Sequence, residues 1–359
     1  MDIVEFYKHF RLKTSFNEAK YREKYPETDG FYQPFCLQNN ISDKYRLYFH
    51  YVMYTYKEAE SLSKINQKHK ININPKLFGN IEKVVPVHPN FLDSYYKNFK
   101  IGKEIASISK IAVVSLARNC DKHIANSIDT IFGLDCKEIK FFVFENDSYD
   151  RTKEIIKEYA NKSDNFYFKI ENNESKYLQD RSKERTEALA QYRNKCLNWF
   201  IKNCKNFDMV IVLDLDADLG FSLDGIYNSI SWLHNINDAG GVASYSLFCK
   251  LSRNKTVFAH YDSFASRMND WEPTPEDRDQ NNEWFRHLHP FVGSDPFHMR
   301  SCFGGLAVYK TEAFLSGKYG SDFGSEHVKF HKDLYDKGYK MYLNPSSRFF
   351  AVYDNEDFF

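Results

Sequence analysis

Apolar and polar positions follow two different patterns along this chain, and the change falls near residue 105. Before it, short segments with helical spacing at about 2–10, 16–25 and 43–63 are separated by proline and glycine, which end helices. After it, apolar runs of strand length alternate with amphipathic segments. The pattern predicts a mainly helical N-terminal region at 1–105 and a second domain at 106–359.

The second domain repeats the order strand then helix. Strands are predicted at residues 110–116, 139–144, 166–170 and 209–214. Helical periods fall at 121–132, 150–160, 186–203, 222–233 and 328–337, and residues 301–309 begin polar and become an apolar strand. Such alternation predicts an α/β fold, a Rossmann-like, mostly parallel sheet flanked by helices. Residues 271–300 are polar, aromatic and loop-like.

Polar residues follow three of the predicted strands. The first strand ends in Ala117-Arg118-Asn119, the second in Glu145-Asn146-Asp147, and the fourth in Asp214-Leu215-Asp216. Ligands of open α/β sheets bind outside the carboxyl ends of the strands. We therefore expect these three segments to converge on one crevice.

The fourth strand end carries alternating carboxylates at Asp214, Asp216 and Asp218. Like charges this close raise one another's pKa unless a cation, solvent or hydrogen-bond donors stabilise them. A hard ion such as Mg²⁺ or Mn²⁺ would take two protein oxygens and leave its other positions to substrate phosphates. The alternative is a solvated turn in which Asp218 caps the next helix.

Composition limits the partners. The 359 residues include 49 basic and 49 acidic side chains, so no global field favours nucleic acid or anionic lipid. Aromatic residues reach 17%, which suits sugar stacking as well as an ordinary core. Seven scattered cysteines without a C-x-x-C pair argue against a disulfide framework. With neither a signal peptide nor a run long enough for a transmembrane anchor, we expect a cytoplasmic protein.

Four motifs occur in the order typical of the GT-A nucleotide-sugar glycosyltransferases. They are the turn at 115–119, Asn146-Asp-Ser-Tyr-Asp-Arg-Thr152, the Arg193-Asn194 pair and Asp214-Leu-Asp216. Segments 185–194, 301–309 and Glu326-His327 more closely resemble the fungal capsule-associated mannosyltransferases of the cryptococcal type. The resemblance spans about residues 110 to 345. It implies metal-dependent transfer of a sugar from a nucleotide-diphosphate donor, GDP-mannose or a UDP-sugar, to a glycan or other hydroxyl acceptor.

Roles for individual residues follow from the resemblance and from local chemistry. Asp216 is the preferred ligand of Mn²⁺ or Mg²⁺, with Asp214 and Asp218 beside it and His327 completing the shell. Glu326 is the expected catalytic carboxylate, and Asp295 is the second candidate. Donor binding is assigned to the two strand-end turns and the long helix, through Ala117, Arg118, Asn119, Glu145, Asn146, Asp147, Arg185, Arg193, Asn194 and Asp214.

Several alternatives stay open at this level. The arginines are equally typical of a solvated helix, a lone histidine is more often structural, and Glu326 suits a helix N-terminus. The missing Q-x-x-R-W motif argues against a processive enzyme. Residues 1–105 are expected to dock the acceptor or hold a homo-oligomer together.

Other protein classes share the D-x-D pattern. Haloacid-dehalogenase-type phosphatases carry it on the first strand of their domain, followed by Gly-Thr, whereas here it follows an α/β half and precedes Ala217. An EF-hand would need glycine and glutamate where this chain has Leu219 and Gly225. A catalytically inactive carbohydrate-binding scaffold remains compatible with the sequence.

Overall fold

A computed structural model describes most of the second domain and part of what precedes it. The described residues are 18–24, 85–173, 182–217, 220–252, 255–260, 262, 264–268, 271 and 290–352. The helix predicted at 16–25 corresponds to α1, Glu18–Lys24. The helices predicted at 2–10 and 43–63 lie outside the described residues, as does Asp218.

Helices and strands alternate from residue 92 onward. The strands are β1 Lys110–Ala117, β2 Glu138–Asn146, β3 Phe166–Glu171, β4 Met209–Asp214, β5 Gly220–Phe221, β6 Ala239–Ser252, β7 Lys255–His260, β8 Phe297–Met299, β9 Leu306–Lys310 and β10 Lys340–Val352. The helices are α2 Leu92–Ile108, α3 Ile124–Phe132, α4 Thr152–Lys162, α5 Lys183–Cys204, α6 Leu223–Asn235, α7 Thr311–Ser316 and α8 Glu326–Asp336. Short 3-10 turns occupy Pro89–Phe91 and Asp322–Gly324.

The strands form one ten-stranded sheet in the order β3-β2-β1-β4-β9-β6-β10-β5, with β7 beside β6 and β8 beside β10. The first four run parallel, β9 is antiparallel to both β4 and β6, and β10 is parallel to β6. Six of the ten strands therefore point in one direction, which confirms the predicted mostly parallel sheet. Because β1, β2 and β4 are neighbours with one direction, their polar carboxyl ends lie at one edge.

Helices cover both faces of the sheet and divide the core in two. One cluster packs α5, α7 and α8 on the sheet through side chains such as Phe200, Phe314 and Phe330. The other packs α2, α3, α4 and α6 through Ala106, Ile128, Ile156 and Ile230, among others. The molecule is a three-layer α/β/α structure, as the alternating pattern predicts.

The sequence prediction missed five of the ten strands, β5, β6, β7, β8 and β10. The pattern of β6 begins with Ala239-Gly-Gly241, and β10 contains Pro345-Ser-Ser347 with a register shift between Asn344 and Arg348. Both features interrupt the apolar run that identifies a strand. The loop-like interpretation of residues 271–300 was wrong at Phe297–Met299, because β8 there pairs with Met341–Leu343 of β10.

Residues 85–108 are attached to the sheet by a buried arginine. The side chain of Arg348 on β10 is fully buried; its Nη1 donates to the Val85 carbonyl at 2.6 Å. Its Nη2 donates to Tyr95 Oη at 2.8 Å and to Asp224 Oδ2 at 3.1 Å. At Gly102 of α2, a Cβ would lie 1.7 Å from the Tyr227 carbonyl oxygen, so only glycine permits this close crossing with α6.

The predicted boundary near residue 105 stays a prediction, but residue 105 lies within α2. Within the described part of the chain, no helix combines the length and the apolarity needed to cross a membrane. The five cysteines whose side chains are described are free thiols, Cys120, Cys136, Cys196, Cys204 and Cys302.

We expect Arg348→Met to lower the free energy of unfolding by about 3 kcal/mol or more, because it leaves Asp224 without its buried cationic partner. Urea unfolding would measure this change. The control is Lys340→Met, which removes a half-exposed ion pair with Asp238 and should cost less than about 1 kcal/mol. Equal, small effects of the two substitutions would contradict the anchoring role of Arg348.

We also expect a chain of residues 85–359 to remain folded, whereas a chain of residues 106–359 should melt at a lower temperature. The shorter chain lacks Tyr95 and Asn98, which hold α6 through the Asn228 amide and the Ser231 hydroxyl. Circular dichroism melting of the two proteins tests this. Equal melting temperatures would place the boundary at residue 105 after all.

Candidate active site

The loops after β1 and β2 are joined by reciprocal hydrogen bonds. The Asn119 amide donates to Ser148 Oγ at 3.0 Å, and the Tyr149 amide donates to Asn119 Oδ1 at 3.0 Å. The Cys120 amide donates to Thr152 Oγ1 at 2.9 Å. Asn119 and Asp147 both adopt left-handed backbone conformations, which asparagine and aspartate tolerate better than most residues. The two predicted donor-binding turns are thus brought together.

Most of the predicted residues in these turns are also buried or hydrogen-bonded within the protein. The buried Glu145 accepts from the Ser148 amide at 2.8 Å through Oε1. Asp147 accepts from the Asn173 amide at 2.7 Å and from Asn146 Nδ2 at 3.1 Å. Ala117 is a buried core residue, and Arg118 is half-buried at the strand end. These contacts shape the edge of the crevice.

A buried guanidinium joins two of the predicted site carboxylates. Arg193 on α5 donates from Nη2 to Asp214 Oδ1 at 3.0 Å and from Nε to Glu326 Oε1 at 3.1 Å. Asp214 ends β4 and Glu326 begins α8, so three elements distant in sequence meet here. The structure therefore brings the D-x-D strand and the expected catalytic carboxylate to one arginine.

An aromatic stack lies beneath this arginine. The Arg193 guanidinium is 5.0 Å from the centre of the Phe303 ring, a cation–π distance. The imidazole of His327 stacks on Phe303 with ring centres 3.8 Å apart and an interplanar angle of 17°. His327 Nε2 is 3.6 Å from Glu326 Oε1, and among the described residues neither ring nitrogen has a hydrogen-bond partner. Burial lowers the pKa of His327 well below its usual range, so the ring is neutral near pH 7.

The site holds more negative than positive charge. Burial raises the pKa of Asp214, although the adjacent Arg193 acts in the opposite direction. Burial alone would lower the pKa of Arg193, but the charges of Asp214 and Glu326 raise it above the usual value. The guanidinium is therefore permanently charged and stabilises the ionised carboxylates.

Asp262 is a site residue that the sequence interpretation missed. Its Oδ2 accepts from the Gly304 amide at 2.8 Å, and its backbone has a left-handed φ of 60°. Burial raises the pKa of Asp262 to about 7, and the charges of Asp214 and Glu326 add to the rise. Asp262 lies two residues beyond the end of β7, a strand that the sequence prediction missed, so only the fold reveals that it lies near these carboxylates.

The glycine pair after Phe303 is required by packing. A Cβ on Gly304 would lie 2.3 Å from the Ser244 carbonyl oxygen, and one on Gly305 would lie 2.5 Å from the Phe349 ring. Both glycines have positive φ. The Gly305 carbonyl accepts from the Asp214 amide at 2.8 Å, which connects the glycine turn to the D-x-D strand end.

Other predicted residues lie in different surroundings. Asn194 uses both ends of its amide to hold the Tyr319 backbone, at 2.9 and 3.1 Å. Arg185 is half-buried on the same helix as Arg193, and its charge lowers the pKa of Asp214. Asp295 is exposed in a turn whose Gly293 packs on Phe91, and among the described contacts none joins it to the Arg193 cluster.

His331, one turn beyond His327, is held by hydrogen bonds in the core. Because the Ser301 hydroxyl donates to the Ala265 carbonyl at 2.6 Å, Ser301 Oγ must accept from His331 Nδ1 at 2.8 Å. Nε2 then accepts from the Tyr309 hydroxyl at 2.9 Å. Burial lowers the pKa of His331 to about 3. Both nitrogens are satisfied, so His331 serves the structure.

The residues present fit a divalent cation that shares its coordination with a substrate. Asp216 is exposed two residues beyond the end of β4, and its charge contributes to the raised pKa of Cys120 on the neighbouring loop. The neutral His327, with no hydrogen-bond partner on either nitrogen, is in the protonation state that a ligand requires. In the described ranges, no three acidic, histidine or cysteine side chains converge closely enough to hold a metal ion by themselves.

Comparisons with known proteins agree with this architecture. Residues 110–350 match the family described as Cryptococcal mannosyltransferase 1. No curated protein matches the chain. The structure resembles, at TM-score 0.44 and 15% identity, the mannosyltransferase PcManGT from Pyrobaculum calidifontis in complex with GDP-Man and Mn²⁺, covering 75% of this chain and 68% of that one.

Two further solved structures resemble it. GalNAc-T7 with UDP, GalNAc and Mn²⁺ has a TM-score of 0.45 and 14% identity, covering 76% of this chain and 54% of that one. S. aureus TarS 1-349 has a TM-score of 0.41 and 12% identity, covering 68% of this chain and 60% of that one. Because identity and TM-score are low in each case, the assignment depends on the family match. The chain belongs to the cryptococcal mannosyltransferase 1 family and is a hexosyltransferase with a GT-A type α/β fold.

Proposed function

We propose that this enzyme transfers mannose from GDP-mannose, with Mn²⁺ or Mg²⁺, to a hydroxyl group of a glycan acceptor. A UDP-sugar is the alternative donor. The observation that carries the proposal is the bridge from Arg193 to Asp214 and Glu326, at the carboxyl edge of the sheet. It unites the D-x-D motif with a carboxylate from a separate helix, the arrangement that a transferase with a donor side and an acceptor side needs.

On the donor side we assign Asp216 and Asp214 as metal ligands, and we assign His327 as a third ligand. A divalent cation bound there would neutralise the charge that builds on the departing diphosphate. The guanidinium groups of Arg193 and Arg185 each act to lower the pKa of Asp214. Since Arg193 is buried and already bonded to two carboxylates, we assign it to holding Asp214 and Glu326, and assign the half-buried Arg185 to the diphosphate.

The turns after β1 and β2 supply the donor pocket in this proposal. The backbone and side chains of Arg118, Asn119 and Asp147 lie at the edge that a nucleotide would contact. Their mutual hydrogen bonds hold the turns in place before a ligand arrives, which lowers the ordering cost of binding.

On the acceptor side we assign Glu326 as the reacting carboxylate. It lies at the first turn of α8, and Arg193 Nε donates to its Oε1 at 3.1 Å. An ionised carboxylate can take the proton of an acceptor hydroxyl, or attack the sugar as a transient nucleophile. Asp295 remains the second candidate for this role.

The two rival functions are separated by one experiment. A phosphatase of the haloacid-dehalogenase type would release phosphate from monoesters, and an inactive scaffold would release nothing. The D-x-D strand is the fourth strand in chain order, which disfavours the phosphatase. The experiment is a thermal shift screen of GDP- and UDP-sugars with Mn²⁺, followed by an assay of nucleoside diphosphate release. A donor at a hundredfold excess over its Kd should stabilise the fold by about 2.7 kcal/mol.

We expect Asp216→Asn to abolish metal-dependent nucleotide binding with little change in stability, because it removes an anionic ligand while keeping the shape of the exposed side chain. Calorimetric titration with GDP and Mn²⁺ measures this. Asp164→Asn, an exposed carboxylate at the other end of the sheet, is the matched control and should bind as the wild type does. Wild-type affinity in the Asp216 variant would remove that residue from the site.

We expect Glu326→Gln to lower kcat by about a hundredfold while nucleotide affinity changes by less than about threefold, because the amide cannot act as base or nucleophile. Steady-state sugar transfer and calorimetry give the two quantities. Glu312→Gln, in the first turn of α7, removes a comparable helix-terminal charge and should leave kcat unchanged. If both variants behave alike, Glu326 is a helix-terminus charge and Asp295 becomes the candidate.

A further inference from the structure

A short segment beside the site, residues 262 and 264–268, contacts both sides of the crevice. On one side, Asp262 Oδ2 accepts from the Gly304 amide at 2.8 Å. The next residue, Gly305, accepts from the Asp214 amide through its carbonyl at 2.8 Å. Asp262 therefore determines the position of the glycine turn that is bonded to the end of β4.

The same segment is bonded to the chain just before the glycine turn. Arg267 and Ser301 exchange two backbone hydrogen bonds, at 2.8 and 3.1 Å, and the Ser301 hydroxyl donates to the Ala265 carbonyl at 2.6 Å. The Ser266 hydroxyl donates to the Asp262 carbonyl at 2.9 Å, and the Ala265 amide donates to Asp262 Oδ1 at 3.4 Å. These bonds hold the carboxylate of Asp262 in one orientation.

On the other side, the segment reaches the start of α8 through the guanidinium of Arg267. The side chain is buried, and its Nη1 donates to the carbonyls of Phe264 and Ser266 at 3.0 and 2.8 Å. Its Nη2 donates to the Phe323 carbonyl at 3.0 Å. Phe323 has a left-handed φ of 63° in the turn Asp322–Gly324, two residues before the helix that begins with Glu326.

We propose that Asp262 and Arg267 are positioning residues, which set the place of Glu326 relative to Asp214 across the crevice. The two carboxylates share Arg193, whose bonds are to their side-chain oxygens, and the backbone at the strand end and at the helix start needs supports of its own. The segment formed by residues 262 and 264–268 is bonded through side chains to the backbone on both sides, at Gly304 and at Phe323. This inference rests on the proposed role of Glu326.

The reason that such anchors matter is geometric. Reacting groups must be held near the productive separation, and a misplacement of about 1 Å can cost about a hundredfold in rate. Without the Asp262 carboxylate the Gly304 amide would lose its acceptor, and the glycine turn that is bonded to Asp214 through Gly305 would be held less firmly. Asp262 thus acts on the reaction through the Gly304 amide, by accepting a hydrogen bond.

The test uses the full-length enzyme with Asp262→Ala and Asp262→Asn. We expect Asp262→Ala to lower kcat for sugar transfer by about a hundredfold, with the KM for the donor within about threefold of the wild type. Asparagine keeps a carbonyl oxygen for the Gly304 amide, so Asp262→Asn should retain a kcat at least about tenfold above that of the alanine variant. Asp238→Ala, a half-exposed carboxylate, is the control and should leave kcat unchanged.

Two results would overturn the inference. If Asp262→Asn is as slow as Asp262→Ala, the charge or proton of the carboxylate matters and not its hydrogen bond. If Asp262→Ala transfers sugar at the wild-type rate, the anchor has no role. Should the alanine variant fail to fold, Arg267→Gln takes its place. That variant weakens the bond to Phe323 and should lower kcat by about tenfold or more at unchanged donor affinity; an unchanged kcat would contradict us.

A measurement without substrate separates this inference from the proposed function. Hydrogen exchange of the peptides containing Gly304 and residues 323–328 should be at least about tenfold faster in Asp262→Ala and Arg267→Gln, respectively. Unchanged exchange in both would overturn the positioning role. If the wild type transfers no sugar while exchange responds as expected, the proposed function fails, but the positioning role of Asp262 and Arg267 is supported.

Discussion

The shared guanidinium of Arg193 is the interaction on which the candidate site depends. It is buried, and it pairs with a carboxylate from β4 and with another from α8. Two carboxylates that face each other in a poorly solvated crevice would repel, and each would resist ionisation. One permanently charged guanidinium between them offsets this repulsion and determines which faces of β4, α5 and α8 meet. The fork of nitrogen donors makes arginine suited to this position, since lysine has a single charged centre.

The surroundings of Arg193 are arranged to keep that bridge rigid. Phe303 packs against the guanidinium, and His327 packs against Phe303. Phe303 is followed by the glycine pair whose carbonyl receives the Asp214 amide, while His327 follows Glu326 directly. The same few residues therefore provide the charged groups, the packing beneath them and the backbone connections between them. A displacement of any one of these residues would therefore displace the others.

Farther from the site, a second buried arginine, Arg348, connects separate elements as Arg193 does. Arg348 joins β10, α6 and the segment before α2, and it does so through a carbonyl, a phenol and a carboxylate. Its bonds extend the α/β/α core beyond the matched region, because residues 85–108 precede residue 110, where the family match begins. The catalytic sheet and this preceding segment form one packed unit in the described structure.

The sequence by itself determined the fold class, the position of most helices and strands from 110 to 236, and the strand ends at which polar residues gather. These features depend on local periodicity, which is visible in the spacing of apolar residues along the chain. It also determined the family, through motifs in a characteristic order.

Only the tertiary structure decided which of the polar residues face one another. Arg193 and Glu326 lie 133 positions apart, and Asp262 follows no motif, so no local pattern connects them. Long-range pairing of β6, β9 and β10 brings them together, and such pairing is a property of the whole chain's packing.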